Sequence, residues 1–319
     1  MLLDFGTAAN IRTEATSGSI LFGAVDTAKY SGDLISVNVY PDEAGGRVTS
    51  FTVAFTSLSA TSSSGTDQIT PSNYASAAIL DSGTTITLLP DDIARTVFEE
   101  LGAEESEQLQ AVVVPCALAQ NTGTLNYQFG GVGGPVIKVA MSQLVLPLVL
   151  SNGEVPTYTN GEAACQLGIE AAGDLPVLFG DTFLRSAYAV YDLDNNRIAL
   201  AQTDFNATGS NVVAFPSQGA AIPSATTAAN EAEVTQTATG IPKEGNTVTA
   251  TGAGASATYN PNATGLSAAS GFAATSTSTS TSKKSVGGEG PRPFQYSTVI
   301  VGLISMLGMG IGGGIFAFL

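Results

Sequence analysis

Over roughly the first two hundred residues, apolar positions recur in short runs with a period of two more often than with a helical period. Phe51, Val53 and Phe55 alternate with Thr52, Ala54 and Thr56, which predicts a half-buried strand. Ser19–Phe22, closed by Gly23, and the runs Val112–Pro115, Val136–Ala140 and Leu144–Leu150 predict further strands. Tyr188–Tyr191 and Ile198–Ala201 flank Asp192-Leu-Asp-Asn-Asn196, whose Asn/Asp content suits a hairpin turn. One segment departs from this rhythm. Pro90 precedes Asp91 and Asp92, and Ile93, Ala94, Val97 and Leu101 fall on one face at helical spacing. A proline at the start, acids in the first turn and Gly102 just past the end predict a helix.

The pattern changes after Phe205. From Pro216 to Gly290 the chain is mostly Ser, Thr, Ala and Gly, as in Thr275-Ser-Thr-Ser-Thr-Ser-Thr-Ser282. Such a segment has too little aliphatic surface to offset chain entropy. Residues 206–291 are therefore expected to form a disordered, O-glycosylated stalk. Asn206-Ala-Thr208 and Asn262-Ala-Thr264 are N-glycosylation sequons, which beside such a stalk support secretion. Val299–Leu319 is uncharged and apolar or small throughout, long enough for the roughly 20 residues of a bilayer span. Small residues at Ser285, Gly287 and Gly288 precede it across a polar spacer. Small site, spacer and apolar tail is the layout of a GPI-attachment signal, so residues 292–319 are expected to anchor the protein to the outer membrane face or cell wall. A transmembrane or a buried helix are the alternatives. Residues 1–13 take no assignment. Met1-Leu-Leu-Asp4 begins no basic and apolar leader, and a chain with an anchor signal but no leader is expected to lack its N-terminal part.

Composition narrows the chemistry. Of 319 residues none is His or Trp, and 27 acids against 11 bases leave a net charge of −16. Residues 1–205 carry 23 acids and 7 bases, so the whole imbalance lies there. Without an imidazole there is no Ser-His or Cys-His nucleophile and no His-ligated zinc, iron or copper. The charge argues against nucleic acid as a partner. Carboxylates and hydroxyls remain for acid–base work. Cys116 and Cys165 most simply form one disulfide in a secreted chain, free buried thiols being the alternative.

The candidate for chemistry is Ala77-Ala-Ile-Leu80-Asp81-Ser82-Gly83-Thr84-Thr85-Ile86. An apolar strand delivers Asp81 into a tight turn, Gly83 lets the backbone turn closely, and Ser82, Thr84 and Thr85 offer hydroxyls to the carboxylate. A lone Asp-Ser-Gly is common in ordinary turns; the full pattern followed by a helix is more specific.

Four segments together resemble pepsin-like aspartic proteases, in particular the fungal GPI-anchored yapsin type. They are Ser17–Gly23 continuing through Asp26–Asp33, Ala78–Thr85, the Cys116/Cys165 pair, and Leu178-Phe-Gly-Asp-Thr-Phe-Leu184 through Asp192. The resemblance covers residues 14–205. It implies a mainly β fold: a single C-terminal lobe of a pepsin-like acid protease, followed here by the disordered stalk and a C-terminal hydrophobic helix. It implies an aspartic endopeptidase, needing neither metal nor cofactor, in which water is activated between two aspartates that share a proton. Asp81 would be one of them, Thr84 would hydrogen-bond its outer oxygen, Ser82 would join a hydroxyl network between lobes, and Gly83 and Thr85 would border a polypeptide substrate. The cysteines would be that lobe's disulfide.

The second aspartate belongs to an N-terminal lobe, and Asp81-Ser-Gly is the one tripeptide of its kind in the chain. Asp4-Phe-Gly-Thr7 has Phe where a hydroxyl belongs. A missing lobe, or a dimer partner, is therefore required for catalysis. The competing expectation is a catalytically inactive GPI-anchored surface glycoprotein that keeps the lobe as a structural or binding module.

Overall fold

The computed structural model describes residues 2–3, 18–42, 46–150, 152–238, 249–250, 266–273 and 299–300. The fold is mainly β, with short helices at the sheet edges. Its largest sheet runs in the order Val136–Ala140, Thr124–Phe129, Thr52–Ser62, Ser76–Leu80, Val177–Phe179, Thr87–Leu89, Ile169–Ala171, with Gly65–Gln68 closing a hairpin on Thr52–Ser62. A second sheet runs Leu2–Leu3, Ala187–Asp192, Arg197–Thr203, Tyr30–Asn38, Ala225–Thr227. A smaller one joins Val145–Leu146, Ala164–Leu167, Ala111–Pro115 and Glu104–Ser106, and the disulfide between Cys116 and Cys165 ties together its two central strands, with the two Cα atoms 4.9 Å apart.

The helix forms over Asp91–Leu101, with Pro90 at its N-cap and Gly102 in the left-handed region at φ 63°. The N–H of Ala103 returns to the carbonyl of Phe98 at 2.8 Å, closing the last turn as a glycine-terminated helix does. Ile93, Ala94, Val97 and Leu101 are buried as the spacing requires. The hairpin turn at 192–196 is held by Asp192, whose carboxylate accepts the backbone N–H and side-chain amide of Asn195 at 3.1 and 2.7 Å.

Three expectations need correction. Ser19–Phe22 is not a strand: pairing begins after Gly23, at Ala24–Asp26, and Phe22 is 76% exposed. An apolar run has no strand character without a partner edge. Leu144–Leu150 is strand only at Val145–Leu146, because Met141–Leu144 makes a helical turn immediately before it. Third, the folded unit does not stop at Phe205. Val212–Ala214 pairs antiparallel with Ala24–Asp26, and Ala225–Thr227 pairs parallel with Tyr30–Asn38. Ile222 and Ala228 are buried, and Glu231 meets the guanidinium of Arg197 at 2.8 Å. Thus 206–238, read from composition as the start of a stalk, is part of the lobe's sheets. Two three-residue strands use edges that already exist, so they need little apolar content of their own. The rest of the expected stalk lies outside the described residues, apart from Thr249–Ala250, which pairs with Val299–Ile300, and the docked segment 266–273.

Under the largest sheet lies an aromatic cluster. Phe179 stands 5.2 Å from Phe55, 5.1 Å from Phe129 and 4.7 Å from Phe183, ring centroid to centroid. Phe55, Phe129, Phe179 and Phe183 are fully buried. Phe179 and Phe183 bracket Gly180 and Asp181, so the core anchors the segment on which the candidate site rests.

Candidate active site

Ser76–Leu80 ends at Asp81, and Val177–Phe179 lies parallel beside it with Leu178 opposite Ile79. The N–H of Asp81 donates to the carbonyl of Phe179 at 3.0 Å, fixing where the strand ends. The chain then turns, and both oxygens of the Asp81 carboxylate are held from within the turn. The N–H of Gly83 donates to Oδ1 at 2.9 Å. The hydroxyl of Thr84 donates to Oδ2 at 2.6 Å, a short contact of the charge-assisted kind. Asp81 itself is half-buried, so the gripped carboxylate remains open to a reactant.

The turn is supported from below. The carbonyl of Thr84 accepts the N–H of Asp181 at 2.8 Å, and that of Thr85 accepts the N–H of Thr182 at 3.1 Å. Gly180 sits so close to the carbonyls of Thr84 and Ile86 that a Cβ would clash with both; the position requires glycine for lack of room. The hydroxyl of Thr182 reaches the carbonyl of Gly168 at 2.9 Å and the hydroxyl of Thr87 at 3.1 Å. Two loops, a parallel strand pair and buried hydroxyls thus make one rigid cradle.

The sequence motif places Asp81, Gly83, Thr84 and Thr85 together, and the structure shows the contacts of each. The Thr84 hydroxyl bonds one carboxylate oxygen. Gly83 does more than permit the turn, since its N–H holds the other oxygen. Ser82 is exposed, and its hydroxyl has no hydrogen-bond partner among the described residues. Asn206 is exposed. Asn262, Ser285, Gly287 and Gly288 lie outside the described residues, as does the tail from 301 onward. Among the described residues no helix is long and apolar enough to cross a membrane, and no group of three or more acidic or sulfur ligands could hold a metal.

Sequence reasoning missed the groups behind the loop. Asp181 is largely buried, and its Oδ1 has no hydrogen-bond partner. Burial pushes its carboxyl up to about 6; the Arg185 guanidinium pulls the other way and the charge of Asp81 adds to the rise. Arg185 donates Nε to the carbonyl of Asp181 at 3.2 Å. The ring of Tyr191 packs tilted against Phe51, ring centroids 4.5 Å apart, and burial, with Asp81 nearby, raises its hydroxyl. The signal available was the acid in Gly180-Asp181-Thr182, on a segment already aligned behind the loop.

The family model of eukaryotic aspartyl protease matches residues 5–203. The chain belongs to that family. A protein named probable aspartic-type endopeptidase opsB from Aspergillus oryzae is 39% identical over 217 residues, 68% of this chain and 42% of its own length. Secreted aspartic protease 9 of Candida albicans is 34% identical over 203 residues, 60% of this chain and 33% of its own length. The aspartic proteinase of Irpex lacteus superposes with a TM-score of 0.48 at 24% identity, covering 66% of this chain and 58% of that one. The chain spans less than half the length of the curated relatives it matches.

Proposed function

We propose that this chain carries one of the two catalytic aspartates of a fungal aspartic-type endopeptidase, secreted and held at the cell surface. Asp81 shares a proton and a water with the aspartate of a partner lobe. The water, deprotonated by the pair, attacks the scissile carbonyl of a polypeptide, and the pair returns a proton to the leaving amine. The observation that carries this reading is the double grip on Asp81, Gly83 N–H on one oxygen and Thr84 hydroxyl on the other, which leaves a fixed carboxylate facing outward.

Several features support the setting. A disulfide suits an oxidising compartment, Asn206 is an exposed sequon, and relatives are named as secreted proteases. The apolar tail with Ser285, Gly287 and Gly288 ahead of it supports GPI attachment of the yapsin type. The second aspartate would come from an N-terminal lobe or a dimer partner.

The test is peptide cleavage at acid pH by the full chain expressed through a secretory host, alone and in whatever assembly it forms. Cleavage blocked by pepstatin and lost in Asp81→Ala supports the proposal. A well-folded chain that cleaves nothing in any oligomeric state would make it a non-catalytic surface module.

A further inference from the structure

Far along the chain from the lobe's last strand, residues 266–273 return to its surface. Ala268, Ala269 and Phe272 of this Leu-Ser-Ala-Ala-Ser-Gly-Phe-Ala segment are buried, and Ala269–Ala273 forms a short helix. It rests against the helix Asp91–Leu101 and the hairpin Thr52–Ser62/Gly65–Gln68. The contacts are numerous for so short a piece. Ser62 Oγ donates to the carbonyl of Ala268 at 2.6 Å, and Gly271 N–H donates to Ser64 Oγ at 2.9 Å. The Asn121 side-chain amide donates to the carbonyls of Gly271 and Phe272 at 2.9 and 3.3 Å. The fit is two-sided. A Cβ on Gly123 of the lobe would collide with the Phe272 ring, and a Cβ on Gly271 of the segment would collide with Ser62.

At one end of this contact two carboxyl groups meet. Asp67 accepts Ser267 Oγ at 2.6 Å and Ala268 N–H at 2.7 Å, which together hold its carboxylate low. Glu100, in the last turn of Asp91–Leu101, is 1% exposed, and neither of its oxygens receives a hydrogen bond. A buried carboxylate without a donor is costly; a protonated one beside Asp67 can itself donate. Among the described residues, the other elements packed there bring no opposing charge. Thr52–Ser62, Thr87–Leu89 and Ala269–Ala273 contain no charged residue. Ile169–Ala171 brings Glu170, whose charged neighbour is Glu105.

We propose that this face of the lobe is a docking groove for residues 266–273 of the same chain, latched when Glu100 is protonated and donates to Asp67, and released when Glu100 ionises. Release frees residues 266–273 from the lobe's surface. The groove accepts a Ser-Ala-Ala-Ser-Gly-Phe sequence: the phenylalanine fills the space over Gly123, and the first serine caps Asp67.

The sign of the pH effect follows from linkage. Burial first, then the neighbouring Asp67, pushes Glu100 from its ordinary 4.5 to about 7. The part of that burial that residues 266–273 supply is lost when they leave, so the docked state binds the proton more tightly than the undocked one. Docking is fully supported at acid pH and weakens by at most tenfold per pH unit as pH rises towards about 7.

Hydrogen exchange of the full chain tests this, read as protection over 266–273 after correction for intrinsic rates, with Ser76–Leu80 reporting that the lobe is intact. Wild type should protect 266–273 at least about tenfold more at pH 5 than at pH 8. Glu100→Gln should protect the segment at both pH values, and Phe272→Ala at neither. The proposal fails if wild-type protection is equal at the two pH values, if none is seen at pH 5, if Glu100→Gln keeps the pH dependence, or if Phe272→Ala stays protected. Should Glu100→Gln not fold, the wild-type profile decides: protection lost as pH rises towards about 7 supports the latch, and a flat profile overturns it.

Discussion

The N–H of Asp181 donates to the carbonyl of Thr84 at 2.8 Å, while the Thr84 hydroxyl holds the carboxylate of Asp81. Thr84 therefore connects the candidate catalytic group to a segment almost a hundred residues later. The geometry of Asp81 depends on a strand the motif itself does not contain, and changes on either side of this link should be felt at the carboxylate.

Thr84→Ala removes the hydroxyl from Oδ2 while leaving the backbone contact. A hydrogen bond to a charged group contributes about 1.5–3 kcal/mol, so kcat/KM of the active protein should fall about 10- to 100-fold. Thr84→Ser should recover most of it. Equal activity in the alanine and serine variants would show that the hydroxyl does not position Asp81.

Gly180→Ala places a methyl against the carbonyls of Thr84 and Ile86. Overpacking of this kind costs typically 1–3 kcal/mol. A denaturant midpoint lowered accordingly, with reduced activity in whatever remains folded, is the expected result.

Asp181 makes the lobe sensitive to pH. Its carboxyl is raised from 3.8 to about 6 in the folded chain, so the folded state holds the proton more tightly than the unfolded one. Stability is then greatest below about 4 and declines as pH rises through about 6. Asp181→Asn should flatten that decline and stabilise the chain at pH 7 by up to about 1–2 kcal/mol, the value being reduced by solvent screening. Unfolding curves between pH 4 and 7 measure it; an unchanged slope in the variant would contradict the assignment.

Much of this site was legible in the sequence for a local reason. In Asp81-Ser-Gly-Thr-Thr the carboxylate, its turn and its hydroxyl partner are contiguous, so the pattern shows the turn and the hydroxyls, while the Gly83 N–H on Oδ1 emerges only in the structure. The helix Asp91–Leu101 was legible because its proline, acids, apolar face and glycine are all local too. Asp181 was not: its burial arises only when Val177–Phe179 slides in beside Ser76–Leu80, a long-range event. The segments 212–214 and 225–227 were missed for the same reason. Their strand character comes from edges offered by Ala24–Asp26 and Tyr30–Asn38, and a composition average over Ser, Thr and Ala cannot register a partner. Ser19–Phe22 is the converse case, apolar but with no edge to join.

That correction has its own test. A chain ending at Phe205 loses both edge strands, the burial of Ile222 and Ala228, and the Glu231–Arg197 pair. It should be less stable than one ending at Ala238 by at least about 2 kcal/mol, read from denaturant unfolding. Equal stability would return 206–238 to the stalk.

Replacing Cys116 and Cys165 by serine opens a link between residues separated by 49 positions. The chain-entropy model puts the loss at roughly 3–4 kcal/mol, so the thermal midpoint should drop markedly while the far-ultraviolet β signature survives at low temperature.

Asp81→Asn tests most directly whether Asp81 does the chemistry, because the amide keeps the shape: its oxygen can still accept the Gly83 N–H while its NH2 donates to the Thr84 hydroxyl. The measurement is kcat for acid-pH peptide hydrolysis by the assembled protein, with unfolding curves confirming an intact lobe. Loss of the ionisable group should lower kcat by about 10²–10⁴-fold. Retention of the wild-type rate in a folded Asp81→Asn protein would contradict the account.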